Sequence, residues 1–577
     1  MKHRLLLLAL AFTLALSACG GQPAALEAPG QTALPSANPS PTVTPTPSPE
    51  NRISLAERSL FLGDFEAATA ELQTVLATSG DPEVLAHATL ELGRIAYLRK
   101  DYPACITTLA TLYANWPETQ ASINAAFYLG ECYFQSDQPA QAAEWFTRYT
   151  KTAPDWTDGF VLDRLGDALS AAGDHPAAIQ AFESTLATGY FADPAYLHLS
   201  IGKEYAALGD HSSAVRSYLT AYDSTSNEYA KSQANLLLGQ SYLALGEPGQ
   251  AYARYQDSVN NYPRPFDSYT QLVALVTDSQ PISEFQRGMV DYYAGQYSVG
   301  VEAFDRFLAA NPEHDGAAHY YKALSLRALS QPDPAVSELD QLIRDHTGDP
   351  LWAAAWDLKA DILWRDLENF DLAAQTLLDF AAAAPAAPET PDAIFTAGRI
   401  YEIGTRFTNA AATWSRLIDE YPSAERSYLA LFLTGITYYR LGDYDQAVLT
   451  FQRNLALSQA PQDQAQAYFW IGKSLNAKND RTAAERAWMQ AYQADPTDYY
   501  GERSRQLIAG EPILSPPTPY DLGYDLAAER PEAEAWMRTT FNIPANSDLS
   551  GPGELAGDPN FQRGNQFWQL SQYTAAR

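Results

Sequence analysis

The residues with the clearest metal-binding chemistry are two histidines, His319 and His314, of which His314 stands between Glu313 and Asp315. Imidazole and carboxylate groups are the ligands that zinc takes in proteins. The spacing predicts that His314 lies in a loop between helices and that His319 lies on the helix that follows. A stable site needs a third ligand, and the sequence offers no evident one near this pair. We therefore expect no metal ion and no cofactor.

Catalytic motifs are missing from the sequence. It contains no phosphate-binding glycine-rich loop, no Gly-x-Ser-x-Gly, no Cys-x-x-Cys and no His-Glu-x-x-His. Carboxylate pairs such as Asp361 and Asp366 are better explained as part of the solvated face of a helix. We therefore assign no catalytic residue within residues 1–577.

Residues 1–18 have the features of an export signal. Residues 2–4 are Lys-His-Arg, residues 5–16 are apolar, and residues 16–20 are Leu-Ser-Ala-Cys-Gly. An apolar run this short with a basic start is typical of a signal peptide and too short for a membrane-spanning helix. The chain is therefore predicted to be exported.

The end of this signal resembles the lipobox of bacterial lipoproteins. The resemblance implies that Cys19 becomes the first residue of the mature chain and carries the lipid that anchors it to a membrane. The protein is then expected outside the cytoplasm, on the bacterial cell membrane or the outer membrane. An ordinary secretory signal with a chance cysteine is the alternative. Residues 19–50, rich in Pro, Ser and Thr, are predicted to be a disordered tether.

Two further cysteines, Cys105 and Cys132, fall on successive predicted helices of neighbouring repeat units. A disulfide between them is conceivable in an exported protein. Both cysteines also stand among apolar residues, so buried free thiols are an equally open alternative.

A short turn sequence recurs along most of the chain, and its fullest form is Leu-Gly-Asp-Tyr-Asp-Gln-Ala at residues 441–447. The glycine can end one helix in the left-handed conformation, and the aspartate can cap the next helix. A second glycine, seven residues before the turn, keeps the same period. It occurs at Gly93, Gly130, Gly166, Gly202, Gly239, Gly288, Gly398, Gly435 and Gly472. In the unbroken stretches the interval is 36 or 37 residues, which predicts an array of helix pairs.

These units resemble the tetratricopeptide repeat family. The matching positions are Tyr468, Ile471, Gly472, Leu475, Asp480, Ala484, Trp488, Ala491 and Pro496 in one unit, and Gly398, Tyr401, Ala410, Trp414 and Pro422 in another. Small residues let the two helices of a pair approach closely, while the aromatic residue fills the space to the next unit. The resemblance implies an all-α fold, an α-solenoid of about a dozen tetratricopeptide-like helix pairs.

The repeat period divides the chain into two predicted arrays, residues 51–262 and 282–510. Between them, residues 263–281 are predicted to break the array, because the landmark glycines on either side are 49 residues apart. The break is either a long loop or an additional short helix, and it is either a hinge or an insertion without a role.

Residues 511–577 are expected to form a proline-rich segment followed by a helical linker region. Residues 529–541 and 561–570 are predicted to be helices, with Trp536 and Phe541 as candidates for burial. Residues 571–577 have the form of a repeat turn that enters a second helix. Because the sequence stops one turn into that helix, we expect it to be truncated.

The formal net charge of −31 makes nucleic acid and anionic lipid headgroups poor partners. The 35 tyrosines are unusual for a chain of this size. Most are expected in the core, although some could line the concave face and stack on a sugar or a peptide. The residues that bind a ligand cannot be assigned from the sequence.

A second resemblance suggests a function. An exported superhelix that ends in Asp-Tyr-Tyr-Gly at residues 498–501 is similar to the amino-terminal region of soluble-type lytic transglycosylases, and residues 534–537 and 561–570 are similar to the linker of that family. The resemblance implies peptidoglycan as a partner and a catalytic domain beyond Arg577. The only Glu-Ser pair, Glu183-Ser184, falls inside a repeat helix, so no catalytic residue is carried over.

The alternative is a non-enzymatic scaffold similar to the repeat lipoproteins of envelope assembly. Tyr-Pro-Ser-Ala at residues 421–424 and Asn-Trp-Pro-Glu-Thr at residues 115–119 resemble units of those proteins. This hypothesis predicts an envelope protein as the partner. Under both hypotheses, residues 1–577 bind and position a partner, and enzymatic activity would require a catalytic domain outside them.

Overall fold

The computed structural model describes residues 47–153, 157–511, 526–549 and 551–577. Over these residues the protein contains 29 α-helices and no β-strand. The predicted signal peptide, Cys19 and most of the predicted tether lie outside the described residues, as does most of the proline-rich segment after residue 511. Among the helices that are described, none combines the length and the apolar character needed to cross a membrane.

The chain divides into two compact units, with the boundary between Ser79 and Gly80. The described part of the first unit contains one helix pair, α1 (Pro49–Phe61) and α2 (Phe65–Thr78). The carboxylate of Asp64 accepts a hydrogen bond from the Ala67 amide (2.9 Å) and caps α2. This is the turn chemistry that the sequence predicts.

The second unit contains eleven helix pairs among its described residues. They are α3 (Pro82–Leu98) and α4 (Tyr102–Asn115), α5 (Gln120–Gln135) and α6 (Pro139–Thr152), α7 (Asp158–Ala171) and α8 (His175–Thr188), α9 (Ala195–Ala207) and α10 (His211–Ser224), α11 (Glu228–Ala244) and α12 (Pro248–Asn261), α14 (Glu284–Tyr293) and α15 (Tyr297–Ala310), α16 (Ala317–Ala328) and α17 (Pro332–Asp345), α18 (Trp352–Arg365) and α19 (Phe370–Ala383), α20 (Thr390–Ile403) and α21 (Phe407–Glu420), α22 (Ser427–Leu441) and α23 (Tyr444–Leu457), and α24 (Pro461–Ala477) and α25 (Arg481–Ala494). The other helices are α13 (Phe266–Thr277), α26 (Tyr499–Ala509), α27 (Leu526–Thr540), α28 (Pro559–Gln569) and α29 (Tyr573–Ala576). The predicted fold class, an all-α array of about a dozen helix pairs, is confirmed.

Helix α13 occupies most of the stretch where the sequence predicts a break. It packs on α11 through buried polar contacts: the Gln271 side-chain amide donates to the Ser232 carbonyl oxygen (3.0 Å), and the hydroxyls of Ser232 and Ser268 are 2.8 Å apart. Leu272 and Leu275 of α13 are also buried. The additional residues therefore form a packed single helix between two pairs.

Each turn between the helices of a pair places one residue in the left-handed conformation before the helix cap. At the turn after α22, Gly442 has φ 77°, and Asp443 accepts a hydrogen bond from the Gln446 amide (3.1 Å). Several turns use a different residue in the same conformation, for example Lys100 and Ser330, both with φ 60°. The turn therefore persists where the glycine is lost.

A glycine on the first helix lies under a large side chain of the second helix in nine pairs of the described chain. The partners, always 16 residues apart, are Gly93 and Leu109, Gly130 and Phe146, Gly166 and Phe182, Gly202 and Tyr218, Gly239 and Tyr255, Gly288 and Phe304, Gly398 and Trp414, Gly435 and Phe451, and Gly472 and Trp488. A Cβ on Gly435 would lie 2.6 Å from the Phe451 ring, closer than carbon atoms pack. The glycine therefore sets the distance between the two helices.

Helix α27 and the residues after it correct one expectation. Trp536 and Phe541 are 61% and 63% exposed, so they are not core residues. The Trp536 ring contacts the Phe541 ring (centroids 5.8 Å apart) at the end of this helix. A helix that follows the repeats need not complete their core, and its apolar residues then remain at the surface.

Substitution of a landmark glycine tests this packing. We expect Gly435→Ala to destabilise the protein by about 1–3 kcal/mol, because the new methyl group must displace the Phe451 ring in a close-packed interior. Urea unfolding followed by circular dichroism would measure the change. Gly249→Ala is the matched control, because Gly249 lies in helix α12 and a methyl group added there would meet open space. This control should be neutral or slightly stabilising, and equal effects of the two substitutions would contradict the account.

Candidate helix-binding groove

The carboxyl-terminal helices α28 and α29 lie against the first helices of three earlier pairs. Ser571, with φ 58°, ends α28 as a repeat turn does, and Gln572 is the N-cap residue of α29. The segment therefore starts like another repeat but packs across the face of α3, α5 and α7. We call the surface that it covers the first-helix groove. It is formed by Arg94, Asn124, Tyr128 and Phe160 of these first helices, together with Tyr149 of α6 and Tyr190 after α8.

Two apolar side chains of α28 are buried in the first-helix groove. Phe567 is 1% exposed, and its ring packs edge-on against Phe160 (centroids 5.6 Å apart) and lies 6.1 Å from the ring of Tyr190. Leu570 is fully buried and belongs to the hydrophobic core of α3 to α8. Burial of such a side chain contributes about 1.5–3 kcal/mol, so these two residues supply most of the docking free energy.

Side-chain amides and two tyrosines fix the position of α28 in the groove. The Gln566 amide nitrogen donates to Asn124 Oδ1 (3.1 Å) and to the Tyr149 hydroxyl (3.0 Å). Asn124 Nδ2 in turn donates to Gln569 Oε1 (3.3 Å), and the Tyr128 hydroxyl donates to the Gln569 carbonyl oxygen (2.7 Å). Because these groups are largely buried, a ligand that leaves them unpaired would bind much more weakly.

Arg94 binds the turn that follows α28. Its Nε donates to Ser571 Oγ (2.8 Å), and its Nη2 donates to the Tyr573 hydroxyl (2.9 Å). Burial of the guanidinium lowers the pKa of Arg94, but electrostatic interactions with Tyr128, Glu91 and Tyr573 have the larger effect, so the pKa is raised overall. Burial also raises the pKa of Tyr128, so its hydroxyl stays protonated and able to donate. Arg94 therefore remains charged and ties the segment to α3.

An acidic surface lies beside the groove on α5 and α7. Arg164 binds Glu131 through two hydrogen bonds (2.7 and 3.1 Å) and pairs with Asp167 (3.3 Å). Asp163 is buried, and its Oδ1 has no hydrogen-bond partner among the described residues. Burial, together with the charge of Asp167, raises the pKa of Asp163 to about 7. These groups are not arranged as a nucleophile beside a base.

The sequence-predicted cysteines have different outcomes. Cys19, the predicted lipid attachment site, lies outside the described residues, so it stays a prediction. Cys105 and Cys132 form a disulfide that joins α4 to α5. Since α5 carries Asn124 and Tyr128, this bond connects the helix that lines the groove to the pair before it.

The carboxylates and the Glu-Ser pair singled out in the sequence make ordinary contacts within the repeats. Asp361 and Asp366 both bind Arg327, at 2.9 and 2.6 Å. The Ser184 hydroxyl donates to a backbone carbonyl within α8 (2.8 Å), so the Glu183-Ser184 pair is part of an ordinary helix. His314 and His319 lie together with a third histidine, His346, which was not identified from the sequence as a possible metal ligand.

The groove residues themselves were not predicted. The sequence did predict a helix at residues 561–570 and a repeat turn after it, and the structure has α28, Ser571 and α29 there. What was missed is the surface on which they dock. Asn124 and Tyr128, four residues apart on one face of α5, were the available signal, but an amide also occupies the equivalent position of another pair, at Gln466, so this signal alone does not identify the groove.

The pKa of Asp163 gives a pH-dependent prediction. The carboxyl ionises near pH 4 in the unfolded chain but only near pH 7 in the folded protein. Ionisation therefore costs folding free energy, and the penalty is absent below about pH 4 and complete above about pH 7. We expect Asp163→Asn to be more stable than the wild type at pH 8, by about 1–3 kcal/mol, and nearly equal to it at pH 4. Thermal unfolding at both values measures this, with Asp333→Asn on the exposed face of α17 as a surface control. A difference that does not change with pH would contradict the account.

Comparison with known protein families agrees with the helix-pair fold of the array. A sequence model of the tetratricopeptide repeat matches residues 199–264, 285–350, 395–460 and 432–499. No curated protein sequence matches the chain significantly.

Several solved structures are similar to the chain at low identity. PilW, a widely conserved type IV pilus biogenesis factor, is 17% identical, with 39% of this chain and 98% of PilW covered and a TM-score of 0.28. The Naa15/Naa10 complex bound to HypK is 14% identical, with 92% of this chain and 77% of that chain covered and a TM-score of 0.28. Yeast Tom70 is 12% identical, with 86% of this chain and 99% of Tom70 covered and a TM-score of 0.23. At TM-scores this low, these similarities carry no argument about function. Over the residues matched by the sequence model the chain consists of tetratricopeptide repeats, and its fold is an all-α solenoid of such helix pairs.

Proposed function

We propose that this chain is a protein-binding scaffold whose first-helix groove takes an amphipathic helix, and that α28 holds the groove until a partner helix displaces it. The observation that carries the proposal is the burial of Phe567 and Leu570 of α28 among the first helices of three repeats. Solenoids present extended surfaces of this kind to their ligands. A helix laid in a groove is also a common mode of peptide recognition.

The contacts of α28 describe the partner helix. It presents an amide, an aromatic and an aliphatic side chain at the positions of Gln566, Phe567 and Leu570, respectively. The amide and the aliphatic residue are four positions apart, so they lie on one face of the helix. The aromatic side chain fills the space beside Phe160, and the amide satisfies Asn124. A helix with the apolar residues but without the amide leaves Asn124 unpaired, so it is rejected.

Docking of α28 is suited to displacement. About fifty residues, including helix α27, separate the end of α26 from the start of α28, so α28 docks as an intramolecular competitor at the effective concentration that this connection sets. The bound element is one helix of 11 residues. A partner with a longer matching face can therefore compete with it.

A peptide-binding experiment tests this proposal. The release variant Phe567→Ala/Leu570→Ala removes the two buried side chains of α28, and a fluorescein-labelled peptide of residues 559–577 is then added in trans. We expect fluorescence anisotropy to show at least about tenfold tighter binding to the release variant than to the wild type, because the intramolecular competitor has lost its apolar contacts.

Two matched controls separate docking from a general effect on folding. Phe561→Ala changes a 42% exposed ring on the same helix and should leave peptide binding at the wild-type level. Within the release variant, Asn124→Ala should weaken binding, while Gln466→Ala should not. Gln466 occupies the equivalent position, six residues before the landmark glycine, in a pair outside the groove. Equal binding by the release variant and the wild type would contradict the proposal.

For location, we propose an exported scaffold that is lipid-anchored at Cys19 and meets an envelope protein as its partner. The lipobox-like sequence at residues 16–20 supports the anchor, and the Cys105–Cys132 disulfide supports an oxidising compartment. Cys19→Ser should move the protein from the membrane fraction to the soluble fraction. Retention of this variant on membranes would contradict a lipid anchor at Cys19.

The lytic-transglycosylase hypothesis remains a second proposal, in which the array positions a peptidoglycan-cleaving domain. It is supported by the sequence similarity at residues 498–501. In the repeat array this stretch also closes the last pair, since Asp498 caps α26 by accepting a hydrogen bond from the Tyr500 amide (2.9 Å). The coding sequence after codon 577 tests it: a Glu-Ser pair followed by a Gly-Leu-Met-Gln-like segment would support the hypothesis, and a stop codon would contradict it.

A further inference from the structure

Three histidines meet at a junction between successive helix pairs, outside the first-helix groove. His314 precedes α16, His319 lies on α16, and His346 is the C-cap residue of α17. The ring centroids of His314 lie 5.0 Å from His319 and 4.9 Å from His346, and those of His319 and His346 are 5.9 Å apart. One ring nitrogen of each histidine lies within 4.8 Å of those of the other two. From the sequence we expect no metal here for want of a third ligand, and the fold supplies one.

The hydrogen bonds of two histidines determine which nitrogen can bind a metal. Nδ1 of His319 lies 2.6 Å from Oε2 of Glu338. A carboxylate accepts, so Nδ1 carries the proton and Nε2 keeps its lone pair. Nδ1 of His314 lies 2.7 Å from the Asp315 carbonyl oxygen, which likewise leaves Nε2 for a ligand. A carboxylate behind a histidine is the usual support of a zinc-ligating imidazole.

The inner part of the cluster is held in place without a metal ion. His319 and Glu338 are 6% and 8% exposed. Lys322 fixes Glu338 from the other side, with Nζ 2.6 Å from Oε1, and it also binds Asp305 (2.7 Å). His314 and His346 are only partly buried, so an ion can arrive from solvent and their side chains can adjust to it.

We propose that His314, His319 and His346 bind one Zn²⁺ ion, with a water molecule or an external ligand in the fourth position. Imidazole nitrogens favour zinc and the neighbouring transition metals over calcium or magnesium. Nitrogens bound to one tetrahedral zinc ion lie about 3.3 Å apart, so the two outer rings turn inward by about 1 Å. The ion joins the loop before α16 to the end of α17 and so ties together the two ends of this helix pair.

Zinc titration of the full chain after removal of metal with a chelator tests the site. With ZnCl₂ and a competing chromophoric chelator, the wild type should bind one ion per chain at this site. His346→Gln and His314→Gln should each weaken binding at least about 100-fold, because a three-ligand site loses one ligand. His198→Gln, on α9 and away from the cluster, is the matched control and should bind as the wild type does.

A second pair of measurements separates ligation from folding. Glu338→Gln should weaken zinc binding by about 10- to 100-fold, as loss of a supporting carboxylate does. Zn²⁺ should raise the melting temperature of the wild type and of His198→Gln, but not that of His346→Gln, whose far-ultraviolet circular dichroism should be unchanged without metal. Wild-type zinc affinity in both His314→Gln and His346→Gln, or no zinc bound by the wild type, would overturn the proposal.

Discussion

The contact on which the solenoid depends is a glycine of one helix packed under a side chain of the next. Gly435 under Phe451 is an example. The two residues are 16 positions apart because the chain must reach the end of the first helix, turn, and run back along the second helix until it lies opposite the glycine. Where alanine takes the place of the glycine, as at Ala323, the facing side chain of the second helix is a leucine, Leu339, and not an aromatic ring, and both residues are fully buried. The constraint is therefore the combined volume of the two side chains. In the unbroken stretches, successive pairs repeat this contact every 36 or 37 residues.

What could be predicted from the sequence is what lies within one repeat. The turn at residues 441–447 and the spacing of the landmark glycines predicted the helix pairs, because caps and close approaches involve residues near one another in the chain. The groove could not be predicted in this way. The Tyr128 hydroxyl reaches a carbonyl 441 residues away, and no periodic pattern encodes that contact. His346 was missed for a related reason, since it lies 27 residues after His319 and so does not follow the repeat period.

The two proposed sites use different parts of the repeats. Most of the groove lies on first helices, which the glycine contacts hold in place, so Asn124 and Tyr128 are presented by rigid elements. The Cys105–Cys132 disulfide adds a covalent link to the same helix. The histidine cluster instead uses a loop and a helix end, where repeats tolerate variation without loss of the core. The packing between paired helices therefore fixes the scaffold, while the helix faces and loops outside that packing are available to bind a ligand.

Hydrogen exchange of α28 tests most directly whether this helix occupies the groove. In the full chain the account predicts that the amides of residues 562–570 exchange at least about 100-fold more slowly than in Phe567→Ala/Leu570→Ala, because local opening must break the docked contacts. The amides of α5 around Tyr128 should also lose protection in the variant, while those of α24 should not change. Equally fast exchange of residues 562–570 in both proteins would contradict the account, since it would mean that α28 is not held in the groove.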